Sequence, residues 1–186
     1  MAYDVPCGDC LECRSLSQNS WVTRLGFDLQ DLYANGGKAI FLTFTYNNEC
    51  LPHSNFGLSD YKKVACFQHD DVLRFLNNLK VYVNRKYGKS KYKYFWCSEY
   101  GKFTKRPHYH ALFMLAKGVD STWFAEKCRS LWEYGFMFPR RKGDRYVDNT
   151  GATTTIELRN RQAACKYVFA VRFVCHLSVQ REASAA

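Results

Sequence analysis

The feature that most constrains the fold is a pair of nine-residue stretches, 92–100 and 107–115, in which aromatic and aliphatic residues predominate. Both stretches are typical of β-strands, and the short segment between them contains Gly101. A connection this short joins antiparallel neighbours, because parallel strands need a long crossover. The sequence therefore predicts a β-hairpin, which favours an antiparallel sheet.

Hydrophobic periodicity predicts further helices and strands around this hairpin. Residues 38–46 alternate as a strand does, and the apolar spacing over 69–87 is helical. Because an antiparallel hairpin lies among helices, we expect an α+β fold in which helices pack on an antiparallel sheet. Helices are also predicted over 14–34, from Asp120 or Ser121 to a stop at Gly135, and from Asn160 onward, with a weaker strand over 153–158.

Length and composition indicate one structural domain. The 186 residues are 47% hydrophobic, enough for a substantial core, and show neither an internal repeat nor a low-complexity linker. We expect a cysteine-containing N-terminal segment and helix over 1–35, the main domain over 36–179, and a frayed tail over 180–186.

The sequence contains no signal for a membrane or for export. It lacks the run of about 18 apolar residues that a membrane span needs, and its first residues do not resemble a secretory signal. The nine cysteines are an odd number, which favours reduced thiols. We therefore expect a cytoplasmic protein that makes no membrane contact.

The charge balance indicates a polyanionic partner. Lys and Arg number 27 against 17 Asp and Glu, so the net charge is +10. Such a surplus favours nucleic acid or, less often, an acidic membrane surface.

Basic and aromatic residues are concentrated in one stretch. Residues 80–106 hold nine Lys or Arg, one acid (Glu99) and eight aromatics. Cations neutralise phosphates and exposed rings stack on unpaired bases, although rings also fill cores and lysine-rich turns are often only solvated edges. The predicted nucleic-acid-binding residues are Lys89, Lys91, Lys93, Lys102, Lys105, Arg106, Arg140, Arg141 and Lys142.

A histidine pair on the second strand of the hairpin is the strongest chemical signal. His108 and His110 project to the same face of a strand, where two imidazoles can bind one metal ion. Glu99 on the adjacent strand is the candidate third ligand. The alternative is that both histidines lie on a solvated sheet face.

A second metal signal lies near the N-terminus. Cys7, Cys10 and Cys13 have a spacing typical of zinc ligands, and Cys50 with His53 could complete a tetrahedral Zn²⁺ site with two of them. The alternative is that these cysteines are free thiols.

Several motifs together resemble a known family. Residues 41–46, the His108-Tyr109-His110 triplet and a tyrosine on a late helix resemble the ordered motifs of HUH endonucleases, which start rolling-circle DNA replication. More narrowly, residues 5–14, the strand leading to Leu51-Pro52, and the stretch from Glu99 to His110 resemble the replication initiators of gokushovirus-type microviruses, small single-stranded-DNA phages. The resemblance extends over residues 5–168.

This resemblance implies a fold and a mechanism. The fold would be ferredoxin-like or RRM-like, and His108, His110 and Glu99 would hold Mg²⁺ or Mn²⁺. Tyr167 would attack a phosphodiester of single-stranded DNA at a replication origin, leaving a 5′-phosphotyrosine that permits later rejoining. The protein would act in the cytoplasm of a bacterial host, with the host replication machinery as a further partner.

The chain departs from the family pattern after the tyrosine. Ala170 and Val171 stand where the family usually has a lysine and a second tyrosine. Beside the nicking and joining enzyme, this departure leaves open a single-strand-binding module without catalysis, and Tyr167 could be an ordinary helix residue. A third interpretation takes the two histidines and the carboxylate as a non-haem iron oxygenase site. The last leaves the +10 charge unexplained.

Overall fold

A computed structural model describes residues 5–55 and 63–158. The three helices are α1 (Leu11–Ala34), α2 (His69–Tyr87) and α3 (Ser121–Leu131). The strands are β1 (Lys38–Tyr46), β2 (His53–Asn55), β3 (Lys63–Ala65), β4 (Tyr92–Tyr100), β5 (Pro107–Leu115), β6 (Gly135–Phe138), β7 (Arg140–Lys142), β8 (Arg145–Val147), β9 (Thr153–Thr154) and β10 (Glu157–Leu158).

The main sheet is antiparallel and has β1 and β5 at its centre. β4 and β5 form the predicted hairpin, and β5 pairs with β1 along its whole length. The other edge of β1 is shared by two short strands, β6 beside Thr43–Tyr46 and β10 beside Ala39 and Ile40. The predicted α+β class with helices packed on an antiparallel sheet is therefore confirmed.

One face of this sheet carries the main hydrophobic core. Helices α2 and α3 cover it, and their apolar residues meet the alternate side chains of β1, β4 and β5. Phe44 lies at the centre of this core and is fully buried against Phe75, Trp96 and Trp132. Burial of these aromatic rings favours folding of the domain.

The opposite face is only partly covered by a helix. Leu25 and Leu29 of α1 pack with Phe95, Leu112 and Met114 at one end of the sheet. The other end of this face, towards the β4–β5 turn, carries the two histidines. Helix α1 thus covers the apolar end of this face and leaves the end with the histidines uncovered by a helix among the described residues.

Strand β6 departs from the expectation that Gly135 only ends a helix. Helix α3 ends at Leu131, before the predicted stop at Gly135. Gly135 instead begins a strand whose backbone lies against Thr45 and Tyr46. A Cβ atom at Gly135 would collide with that backbone, so only glycine permits this approach. The pairing depends on β1, which is remote in sequence.

Two smaller differences concern the N-terminal helix and the long connection after β1. Helix α1 begins at Leu11 instead of residue 14, because the Cys10 side chain accepts the backbone N–H of Cys13 as an N-cap. The aperiodic connection 47–68 contains the β2–β3 hairpin. The helix predicted from Asn160 and the tail over 180–186 lie outside the described residues.

Helices α1 and α2 are the longest in the described part of the chain. Both carry many charged residues along their length. Neither they nor α3 is long and apolar enough to span a lipid bilayer.

Candidate metal centre and nucleic-acid interface

The strand register places the histidines and Glu99 on one face of the sheet. Glu99 lies opposite His108, and Cys97 lies opposite His110. Directly paired residues of an antiparallel sheet project to the same side, so all four share a face with Leu112. The residues of this face form two rows across the sheet: Phe138, Thr43, His110 and Cys97 in the first, and Phe136, Thr45, His108 and Glu99 in the second.

His110 is held by contacts on both ring nitrogens. Its Nε2 lies 3.2 Å from Oε2 of Glu99, and its Nδ1 lies 2.9 Å from Oγ1 of Thr43. The ring also stacks on Phe41, with 5.6 Å between the ring centroids. These contacts fix the ring plane and direct Nε2 towards the carboxylate.

The environment of His110 favours the neutral imidazole. Burial, together with the nearby His108, lowers the pKa of His110 to about 4. The ring is therefore uncharged at neutral pH, and its contact with Glu99 is a hydrogen bond from a neutral donor. The neutral form is also the one that can offer a lone pair to a metal ion.

The Thr43 hydroxyl serves either tautomer of His110. While Nε2 carries the proton, that nitrogen donates to Glu99 and the hydroxyl donates to Nδ1. If Nε2 were a metal ligand, Nδ1–H would instead donate to the hydroxyl oxygen, which is the usual support of a ligating histidine. In a metal site Thr43 would thus position the His110 ring, a contact that the sequence patterns did not single out.

The His108 ring has one buried nitrogen without a hydrogen-bond partner in the described part of the chain, and it lies close to Gly101. Its Nδ1 is buried and finds no hydrogen-bond partner among the described residues. On the other side of the ring, a Cβ built on Gly101 would come within 3.2 Å of Nε2. Glycine at the start of the β4–β5 turn therefore leaves room for this imidazole.

The two imidazoles and the carboxylate fit a divalent cation in chemistry, although their ligand atoms stand apart. In the described part of the chain, these three side chains do not form a group whose ligand atoms all lie within 4.8 Å of one another. His110 and Glu99 are in contact, and His108 has an unpartnered buried nitrogen. A mixed nitrogen and oxygen donor set suits Mn²⁺ better than Mg²⁺, which prefers oxygen.

The role assigned to Thr43 leads to a testable expectation. Thr43→Val keeps the side-chain shape but removes the partner of His110 Nδ1. We expect Mn²⁺ affinity to fall about 10–100-fold, the usual cost of losing such a support. Calorimetric titration with Mn²⁺ measures this, and Thr153→Val, an exposed strand threonine, is the matched control. Equal affinities for the two variants would contradict the assignment.

Two clefts open on either side of His108. The first has a volume of about 410 Å³ and is lined by both histidines, Thr43 and Asn149 among others. The second has a volume of about 500 Å³ and is lined by His108, Arg106 and other residues. His108 and Thr45 line both clefts, so the two clefts adjoin at the candidate metal ligands.

An aromatic and cationic cluster borders these clefts. Phe136 and Phe138 project from β6 to the histidine face, and Phe136 is 48% exposed. The guanidinium carbon of Arg140 lies 4.8 Å from the centroids of both rings. Exposed rings with an adjacent guanidinium suit base stacking and phosphate contact. The alternation of Phe136 and Phe138 after Gly135 is the signal in the sequence that could have indicated this edge.

The predicted basic residues fall into separate groups in the structure. Lys102 and Lys105 lie on the turn beside the histidine end of the hairpin. Arg106 lines the second cleft and donates to Oδ1 of Asn48 and to the carbonyl of Tyr46. Strand β7 consists of Arg140, Arg141 and Lys142, and it follows β6, the strand of Phe136, in the chain.

The remaining predicted lysines lie at the opposite end of the hairpin. Lys93 precedes Glu99 by six residues on β4, a separation of about 20 Å along a strand. Its Nζ forms a 2.8 Å ion pair with Asp28. Lys91 and Lys93 line a third cleft, which also contains Asp28 of α1. Lys89 precedes them in the chain. The structure therefore does not bring Lys89, Lys91 and Lys93 to the histidines.

The aromatics of 80–106 divide between core and surface. Tyr94, Phe95 and Trp96 are buried in the two cores. Phe103, on the turn beside the histidines, is 89% exposed, and Tyr82 of α2 is 41% exposed. Only these two of the eight rings are largely available to a ligand, and Phe103 is the one at the histidine end.

The three N-terminal cysteines form a cluster, and the proposed additional ligands do not join it. The sulfur atoms of Cys7, Cys10 and Cys13 all lie within 4.8 Å of one another. Backbone N–H donors of Cys10 and Asp9 and the neighbouring thiols lower the pKa of Cys7 to about 7. Cys50 and His53, although both are described, are not part of this cluster. The suggested completion of the site by Cys50 and His53 is therefore not seen.

The predicted nucleophile Tyr167 lies outside the described residues. Among the described residues that line the two clefts, Tyr46 is the only tyrosine. Its hydroxyl points to the opposite face, where it lies 3.0 Å from Asp71 and 3.2 Å from the hydroxyl of Tyr109. Tyr46 is therefore not placed to act at the histidines.

Comparison with known proteins identifies the family. Residues 39–168 match the model of the family described as replication-associated protein ORF2. The chain is also 28% identical, over 148 residues, to the replication-associated protein VP4 of Bdellovibrio phage phiMH2K. That match covers 72% of this chain but only 42% of the relative. No solved structure matched the chain. Because the family match extends over most of the chain and includes both histidines and Glu99, the chain belongs to the replication-associated protein ORF2 family.

Proposed function

We propose that this protein nicks and rejoins single-stranded DNA, using a divalent cation, to start rolling-circle replication of a small phage genome. The observation that carries the proposal is the placement of His108, His110 and Glu99 on one sheet face, beside a cleft and an exposed aromatic edge. Membership of a replication-associated family and the +10 charge support it. The bacterial host cytoplasm would be its place of action, and host replication proteins its further partners.

The cation would be held by His108 Nδ1 or Nε2, His110 Nε2 and a Glu99 carboxylate oxygen. When bound, Mn²⁺ or Mg²⁺ would polarise the scissile phosphodiester and offset charge in the transition state. Neutral His110 retains a lone pair for this purpose, and Thr43 would keep its ring oriented.

The DNA would lie in the two adjoining clefts. Arg106, fixed by Asn48 and Tyr46, provides a charge for a phosphate in the second cleft. Phe136 and Arg140 on one side provide surfaces for stacking and phosphate contact. A paired duplex could not offer its bases to such rings, so the substrate would be single-stranded or locally melted.

The nucleophile would be the Tyr167 hydroxyl. Strand β10 ends at Leu158, which lines the first cleft. Tyr167 follows nine residues later, and a segment of this length can reach at most roughly 30 Å from Leu158. The phenolic oxygen would bond to phosphorus as the bond from phosphorus to the 3′-oxygen breaks. The phenolic proton would pass to solvent, and the departing 3′-oxygen would take up a proton to become a primer hydroxyl.

The decisive test is formation of a covalent protein–DNA adduct. We expect the full chain, incubated with origin-like single strands and Mn²⁺, to yield an adduct that chelation prevents and that Tyr167→Phe abolishes. Denaturing gel electrophoresis of labelled DNA measures this. Tyr82→Phe, which changes an exposed tyrosine on α2, is the matched control and should retain the adduct.

A second function is favoured by one observation. Ala170 and Val171 replace the lysine and second tyrosine that the family resemblance implies. A single-strand-binding module without catalysis would bind DNA in a salt-dependent manner unaffected by chelation. Binding of this kind, with no adduct on any strand carrying the phage origin, would favour the module and refute the enzyme.

A further inference from the structure

We propose that Cys7, Cys10 and Cys13 bind one Zn²⁺ ion through three thiolates at the start of helix α1. The site is separate from the histidine centre, and it does not depend on the proposed nicking activity. Among the described residues, no further His, Cys, Asp or Glu belongs to the cluster.

The spacing of the sulfur atoms fits a single metal ion. Sγ of Cys7 lies 3.9 Å from Sγ of Cys13, and all three sulfurs lie within 4.8 Å of one another. Two thiolates at about 2.3 Å from a tetrahedral zinc ion stand about 3.8 Å apart. Each thiolate of a 4Fe–4S cluster binds a different iron atom, and at most two thiolates of a 2Fe–2S cluster share one iron, so three thiolates of either cluster are farther apart than three on a single ion. The geometry thus favours one ion over a cluster, although the spacing in sequence would suit either.

The backbone around the cysteines is arranged to support thiolates. The N–H of Cys10 donates to Sγ of Cys7 at 3.3 Å, and the N–H of Cys13 donates to Sγ of Cys10 at 3.5 Å. Gly8, with φ of +77°, provides the left-handed turn between the first two cysteines. Amide donors of this kind stabilise negative sulfur, and the N-terminal end of α1 adds its positive dipole.

The surroundings explain what the ion would do. The N-terminal turns of α1 have no buried residue, since the helix first becomes buried at Leu25. Cys7 and Cys10 are exposed, so packing on the sheet does not hold them together. Three negative thiolates at this spacing would repel one another without a cation between them. The ion would therefore fix the first turn of α1 and leave the sheet core unchanged.

The test is the metal content of the full chain, purified under reducing conditions and reconstituted with Zn²⁺. We expect one equivalent of zinc by elemental analysis, and Co²⁺ substitution should give the thiolate charge-transfer bands of a tetrahedral site. Each of Cys7→Ser, Cys10→Ser and Cys13→Ser should lose the metal. Cys66→Ser, which changes another partly exposed cysteine, is the matched control and should keep it.

Hydrogen exchange and metal analysis of the variants test where the ion binds and which metal it is. Hydrogen exchange after zinc removal should show lost protection confined to the N-terminal turns of α1, with the sheet unaffected. Zinc content that survives all three substitutions, or the absence of bound zinc after reconstitution, would overturn the proposal. Loss of zinc from Cys50→Ser as complete as from Cys7→Ser would overturn the three-thiolate composition, and bound iron with a brown colour would overturn the choice of metal.

Discussion

His110→Ala is expected to lower Mn²⁺ affinity and metal-dependent cleavage by more than about 100-fold, since even the loss of a residue that only orients a ligand costs about 10–100-fold. The substitution removes the ring whose Nε2 lies 3.2 Å from the Glu99 carboxylate. Glu99→Gln, which keeps the size of the side chain but removes its charge, should have an effect of the same order. Calorimetric Mn²⁺ titration and cleavage of a labelled single strand measure the two quantities.

The matched control for this prediction is His69→Ala. His69 is an exposed residue at the start of α2 and is remote from the sheet face of His110. This variant should bind Mn²⁺ and cleave as the unchanged chain does. Thermal unfolding of all variants separates a lost ligand from a lost fold. Unchanged Mn²⁺ affinity in a folded His110→Ala protein would remove His110 from the metal centre.

Phe44→Ala is expected to cost about 3–5 kcal/mol in the free energy of unfolding, the range for deleting a buried phenylalanine. Phe44 has no exposed surface, and its ring lies 5.1 Å from those of Phe75 and Trp96. The surrounding rings cannot close the gap without leaving their own contacts. Denaturant unfolding monitored by tryptophan fluorescence measures the loss.

Phe136→Ala is the same chemical change at the exposed edge of the sheet, and it should give the opposite pattern. Its cost in stability should stay below about 1 kcal/mol, because the ring is 48% exposed and packs beside the Arg140 guanidinium at the surface. Its affinity for single-stranded DNA should fall about 10-fold, the scale of one lost base stack. If both variants lose stability equally, or if Phe136→Ala binds DNA normally, the aromatic edge is structural.

Much of the fold could be predicted because its main elements have strong local signals. The hairpin, β1 and α2 have the predicted bounds, and α3 has the predicted Asp120 cap. In each, the period of apolar residues and the flanking turn residues agree. β6 was not predicted, because the alternation of Phe136 and Phe138 is too short to mark a strand by itself, and the position of the strand is set by pairing with β1.

The candidate site was predictable in part for the same reason. The period of two along a strand places His108 and His110 on one face whatever the rest of the fold does. The Thr43 hydroxyl beside His110 was not predictable, since it depends on the register between β1 and β5. The roles of Tyr167 and of the basic residues remain predictions.

The sequence by itself determined the antiparallel hairpin, the shared face of the two histidines and the basic character of the chain. These properties follow from local periodicity and composition, which do not depend on how distant parts of the chain pack. Only the tertiary structure decided that Lys93 pairs with Asp28 far from the histidines, that Cys50 stays apart from the N-terminal cysteines, and that β6 brings Phe136 beside Thr45. Each of these depends on strand register and chain path, which are selected by packing between residues distant in sequence.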